Sequence, residues 1–208
     1  MTADPAERIF PRLAFVVDGQ LVAGFFLLLQ QGVRVRRRVG CSVDAFLRNE
    51  LGAGPATIEK IQSVMLDGKA VDDIGSAVVQ DGATLALSAA MPGLVGATLR
   101  RGGAYSSVRS TITYHETGKA CAPGDGWVRI KIFNLLMAEL GPGLLKKGVL
   151  LEAADLLGFI AERAQEFRQG CIATLEGKPV DIGKLEGSTA LAGKERVFLT
   201  VEAGPAEA

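Results

Sequence analysis

Histidine and cysteine are scarce in this chain: one histidine, His115, and three cysteines, Cys41, Cys121 and Cys171, in 208 residues. A structural zinc site takes four nitrogen or sulfur ligands at short spacings, and no Cys-x-x-Cys pair is present, so no metal is expected. An odd number of scattered cysteines builds no disulfide framework either, and Cys41 and Cys171 read as inert apolar packing. Net charge is missing as well. Lys+Arg and Asp+Glu each total 23, so no overall field draws the chain to nucleic acid, an anionic membrane or an acidic surface. That argues against a nucleic-acid partner. The longest apolar run, Leu21 to Leu29, contains Gly24 and falls well short of the roughly 20 residues a spanning helix needs. It reads as a buried strand. Met1 to Phe10 lacks the basic start and apolar core of an export signal, and the expectation is a chain in a reducing cytoplasm with no membrane segment. Nucleotide loops are absent too. The nearest match, Gly187 to Glu195, has one residue too many between its glycines and Glu195 where Ser or Thr belongs, so no cofactor is expected.

What is present is apolar: 48% hydrophobic residues and a mean hydropathy of +0.25. For small cores that is a surplus, which implies a buried interface, either between domains or in a homo-oligomer.

The chain also repeats itself. Leu66-Asp67-Gly68-Lys69-Ala70-Val71-Asp72 matches Leu175-Glu176-Gly177-Lys178-Pro179-Val180-Asp181, an acidic-Gly-Lys hairpin turn between apolar flanks. After a short insertion, Thr84 to Ala89 matches Arg196 to Val201 as strands. Upstream, Val43 to Leu51 matches Ala153 to Ala161, with apolar residues at helical spacing in both. Ser42 or Asp44 would cap the first helix, Gly52 to Pro55 would close it, and Ala56 to Ile61 would either extend it or begin the next strand. Before each helix, two apolar runs flank a glycine break: Phe25–Leu29 with Val33–Val39, and 130–140 with 144–151. These read as β-hairpins. The expected fold class is α+β. Each copy is a mixed sheet with one packed helix, at 12–92 and 127–203, and a partly extended connector occupies 93–126.

The element order per copy is that of the β-grasp, or ubiquitin-like, fold. Met65 to Val71, Val79 to Leu87 and Met91 to Gly96 resemble the C-terminal half of the small sulfur-carrier proteins of molybdopterin and thiamin synthesis. The resemblance implies two tandem β-grasp domains. A sulfur carrier works through a flexible C-terminal Gly-Gly that is adenylated and thiolated, and Leu99-Arg100-Arg101-Gly102-Gly103 looks like such a tail. Because the chain continues past it, Gly102 and Gly103 would act only after cleavage behind Gly103. The plainer reading is a glycine turn in the connector.

Val33-Arg34-Val35-Arg36 alternates, which puts Arg34 and Arg36 on one sheet face with Arg38 and the valines opposite; with Arg100, Arg101 and Arg109 they would make an anion-binding patch if they converge in space. The connector gathers Tyr105, Tyr114 and His115, a candidate site for acid–base work. Adjacency in sequence assembles no triad, however, and no catalytic residue is assigned. The leading expectation is a non-enzymatic binding protein with another protein as partner. Its rivals are a carrier released at Gly103 and a small enzyme centred on the connector.

Overall fold

The computed structural model describes residues 9–105, 109, 112–114, 123–167, 170–185, 191 and 193–204. In chain order the elements are β1 (Arg12–Val17), a 3-10 segment (Gly19–Phe25) that runs into α1 (Phe26–Gln31), β2 (Val33–Val39), β3 (Cys41–Ser42) and α2 (Val43–Ala45), continued by a π turn (Phe46–Glu50). Then come α3 (Pro55–Lys60), β4 (Ser63–Leu66), β5 (Lys69–Ala70), β6 (Val78–Val79), β7 (Thr84–Ser88), α4 (Gly93–Leu99) and β8 (Gly124–Phe133). The remainder is α5 (Leu136–Lys147), β9 (Val149–Glu152), α6 (Ala153–Glu162), α7 (Ala164–Phe167), β10 (Cys171–Leu175), β11 (Lys178–Val180), a 3-10 turn (Ile182–Lys184) and β12 (Arg196–Ala203). The class is α+β with mixed parallel and antiparallel pairing.

Two compact units emerge. One is Leu29–Gly143, and the other combines Met1–Leu28 with Leu144–Ala208. In the continuous unit the strand order is β2-β8-β7-β4-β5, with β7 and β8 parallel and every other neighbour antiparallel. Period-two alternation sends Val33, Val35, Val64, Leu66, Leu85, Leu87, Val128, Ile130 and Ile132 to one buried face. Burying each is worth about 1.5–3 kcal/mol. The α2 segment buries Val43, Phe46 and Leu47, and its start is fixed by the Ala45 N–H donating to Ser42 Oγ at 3.2 Å. Residues 55–60 form a helix of their own with Pro55 in its first turn. With α4 added, this unit carries more helix than one segment per sheet.

In the discontinuous unit the order is β9-β12-β1-β10-β11, again with a parallel central pair, β12 and β1, among antiparallel neighbours. Four rings build its core: Phe25 stacks on Phe167 at 4.8 Å between centroids, with Phe15 at 5.3 Å and Phe159 at 5.6 Å from Phe25. The sequence of elements strand, helix, strand, tight turn, strand, strand recurs in both units. The central pair differs. In the continuous unit the repeat's last strand, β7, pairs with β4, whereas in the other unit the last strand, β12, pairs with β9, and β1 meets β10.

Both acidic-Gly turns are hairpins, as expected. Asp67 (φ 50°) with Gly68 (φ 77°) and Glu176 (φ 52°) with Gly177 (φ 74°) take the paired left-handed conformation that a two-residue turn of this hand requires. The hairpins expected before each helix are not formed. Leu21 to Leu29 is helical rather than a strand, because Leu27-Leu28-Leu29-Gln30-Gln31 favours helix and Phe25, Leu28 and Leu29 are buried at helical spacing. Likewise α5 runs straight through Gly141-Pro142-Gly143. Leu136, Leu140 and Leu144, four apart and all buried, outweigh the local preference for a turn.

Candidate functional site

Residues opposite one another in a ladder point to the same side, so the register of the continuous unit defines what its other sheet face carries. Arg34 lies opposite Arg129 and Arg36 opposite Trp127. Across the parallel ladder Arg129 meets Thr84, Lys131 meets Ala86 and Phe133 meets Ser88; beyond them Met65 meets Ala86 and Ser63 meets Ser88. The face therefore presents Arg34, Arg36 and Arg38 on β2 and Arg129 and Lys131 on β8, with Trp127 and Phe133 flanking the two β8 cations. Like charges set directly opposite destabilise a sheet by a few tenths of a kcal/mol, to about 1. Of these, Arg36 has an ion pair, with Asp125 at 3.8 Å. Arg129 donates to the Gln31 carbonyl at 3.1 Å. Arg34 and Lys131 have no ion-pair partner among the described residues. The stems of Arg129 and Lys131 cross Gly32, whose φ of 106° and lack of a side chain leave room for them.

At one end of this face lies a cavity of about 470 Å³, walled by Met65, Ala86, Met91, Pro92, Phe133 and Lys131. Ser63 and Ser88, both nearly buried, also line it. Its rim is fixed: Asn134 (φ 57°) donates from its amide to Ser88 Oγ at 3.1 Å and to the Ala90 carbonyl, and Ser88 Oγ donates to the same carbonyl at 3.2 Å. Lys131 is the sole charged residue among those lining the cavity. Beyond Met91, α4 exposes Leu94 and Val95, at 73% and 63% of their surface.

The connector residues serve a different purpose. Arg109, 2% exposed, donates to Asp72 Oδ1 at 2.6 Å, to Thr113 Oγ1 at 3.3 Å and to the Arg100 carbonyl at 3.3 Å. The Gly102 N–H donates to the same Asp72 oxygen at 3.0 Å, and the Gly103 N–H donates to the Arg100 carbonyl at 3.2 Å. Gly102 and Gly103 thus sit in a turn clamped by Asp72, with Gly102 at φ 57°. Arg101 is half-buried, and desolvation lowers its pKa against the pull of Asp44 and Asp72. Arg34, Arg36 and Arg38 share the sheet face, Arg38 exposed and opposite Asp125, and Arg100 and Arg101 follow α4. Arg109 is spent on an internal ion pair.

Tyr105 is exposed, and the Tyr114 N–H donates to the Ala70 carbonyl at 2.8 Å. Tyr114 borders a second concavity with Asp67 and Asp81. Those carboxylates are occupied by backbone: Asp67 Oδ1 accepts from the Thr84 N–H and Asp81 Oδ1 from the Trp127 N–H, each at 2.7 Å. His115 and Cys121 lie outside the described residues. Burial pushes the Cys171 thiol up to about 11, helped by Asp18, and raises Cys41 with the help of Glu50. Among the described residues no cluster of three metal-ligating side chains occurs, and no helix is long and apolar enough to cross a membrane.

Arg129, Lys131, Trp127 and Phe133 were not singled out by sequence reasoning. Their signal was there: Trp127-Val128-Arg129-Ile130-Lys131-Ile132-Phe133 alternates strictly, and the apolar partners of that alternation fill the core. Comparison with protein-family models, with curated proteins and with solved structures returns no match.

Proposed function

We propose that this is a non-enzymatic binding protein built from two variants of the β-grasp arrangement, and that it holds a protein partner by an acidic segment on the open face of β2, β8 and β7. The supporting observation is the Arg34–Arg129 juxtaposition, with Lys131 one step along β8 and no carboxylate paired to Arg34 or Lys131 among the described residues. Guanidinium groups receive carboxylates by two parallel hydrogen bonds, so an acidic segment relieves a repulsion the free sheet carries. A protein partner is favoured over nucleic acid for two reasons. The cation row spans two strands over a few residues rather than a track along a phosphate backbone, and the chain has no net charge to add long-range attraction.

The carrier reading has less support. A fragment ending at Gly103 would lack β8, the strand that joins β2 to β7 in its own sheet. Intact mass of the protein recovered from its own cells separates the two readings, since a species ending at Gly103 would replace the binding reading with the carrier one.

Direct binding is tested by fluorescence anisotropy with a labelled oligoglutamate peptide and a labelled oligothymidylate of equal length. The peptide is expected to bind, to weaken several-fold between about 50 and 200 mM salt as exposed ion pairs are screened, and to lose binding in Arg34→Glu/Arg129→Glu. Binding of the oligothymidylate alone, or peptide binding indifferent to the double substitution, would overturn the proposal.

A further inference from the structure

The geometry points to the cavity between β4, β7 and β8 as a binding site for a small amphipathic anion, an apolar body that ends in one acidic head group beside Lys131. This goes beyond partner docking on the neighbouring cations, because the cavity is the wrong size for a single partner side chain. At about 470 Å³ it falls within the range of small-molecule sites, roughly 300–1,000 Å³, and one leucine or phenylalanine would leave most of it empty. At the ~30 Å³ that one water-sized group occupies, the volume takes on the order of fifteen non-hydrogen atoms.

The lining sets the chemistry. Met65, Ala86, Met91, Pro92 and Phe133 offer apolar wall, and two of them are methionines, whose flexible thioethers adapt to an alkyl or aromatic body. Lys131 is the sole charge on the wall, has no ion-pair partner among the described residues, and stands on the same face as Arg129 and Arg34. An anionic head is therefore attracted and a cationic one repelled. Ser63 and Ser88 put hydroxyls in the wall, while Asn134 and Ser88 hold the rim closed on the Ala90 carbonyl. That rim is held by hydrogen bonds, and the methionine wall adapts to the body.

The test is calorimetric titration of the full chain with decanoate, with decyl phosphate to compare acidic heads and decyltrimethylammonium as the cationic control. Saturable binding of an acidic probe is expected, weaker by about tenfold for the cation and by several-fold in Lys131→Gln, as for loss of a charge-assisted contact. Met65→Trp, which fills the cavity from β4, is expected to abolish it while leaving oligoglutamate binding on β2, β8 and β7 intact, and Arg34→Ala, outside the cavity lining, is expected to weaken oligoglutamate binding while acidic-probe binding stays saturable, so failure of one reading is not failure of the other. Methyl-labelled methionine gives a readout in the unaltered chain: Met65 and Met91 should shift on titration and Met137 should not. Equal affinity for both head charges, Met65 and Met91 resonances that do not move, or no saturable heat up to about 1 mM would each overturn the inference.

Discussion

Arg109 shows how far a residue's neighbours in space can depart from its neighbours in sequence. It belongs to a serine-rich connector and was grouped with other arginines as an anion binder, yet its guanidinium is buried against Asp72, 37 positions upstream. A buried charge left without its partner is costly. Asp72→Ala is therefore expected to lower unfolding free energy by about 3 kcal/mol in urea denaturation, with Asp72→Asn intermediate; a loss under about 0.5 kcal/mol would mean the pair does not anchor the connector. Cys171, expected to be inert apolar packing, is half-buried on β10. An apolar setting with Asp18 nearby raises its pKa to about 11, so the reactive thiolate is scarce at neutral pH and accumulates only as pH approaches that value. Alkylation of Cys171 by iodoacetamide, followed by mass spectrometry, is expected to climb steadily from pH 8 to 11. A plateau by pH 9 would contradict the assignment.

Secondary elements were legible where two independent signals agreed. The acidic-Gly turns pair a conformational demand with flanking alternation, and both became hairpins. The α2 helix combined a capping serine with apolar spacing. Leu21 to Leu29 and the stretch around Pro142 went astray because a continuous apolar run carries no period to tell strand from helix, and leucine's helical preference decided the matter. The phenylalanine cluster was invisible for another reason: Phe15 and Phe25 come from the start of the chain and Phe159 and Phe167 from the neighbouring helices α6 and α7, two pairs far apart in sequence. Phe167 touches the other three rings, so Phe167→Ala should cost about 3–5 kcal/mol, measured by thermal or urea unfolding. A cost below about 1 kcal/mol would show that the short α7 helix is not held by its ring.

At the scale of the whole molecule the repeat could be read from sequence, but the assembly of each sheet could not. β8 follows the connector yet joins β2 and β7, and β1 opens the chain yet joins β10 and β12. Nothing local to a strand specifies which distant strand it will pair with, and such long-range closure is what sequence periodicity cannot report. A polypeptide of residues 1–103 leaves Val35 and Leu85 without the strand between them, so it is expected to lack a cooperative unfolding transition alone and to regain one on addition of residues 104–208. Cooperative unfolding of 1–103 by itself would contradict the pairing described here. The same register underlies the binding face, since Arg34 and Arg129 meet only because β2 and β8 pair as they do. Backbone-amide NMR of the isotope-labelled full chain, titrated with oligoglutamate, tests that face most directly. Shifts confined to residues 33–36, 84–88 and 127–133, and lost in Arg34→Glu/Arg129→Glu, are the predicted result; shifts centred on β1 and β10, or none at all, would contradict it.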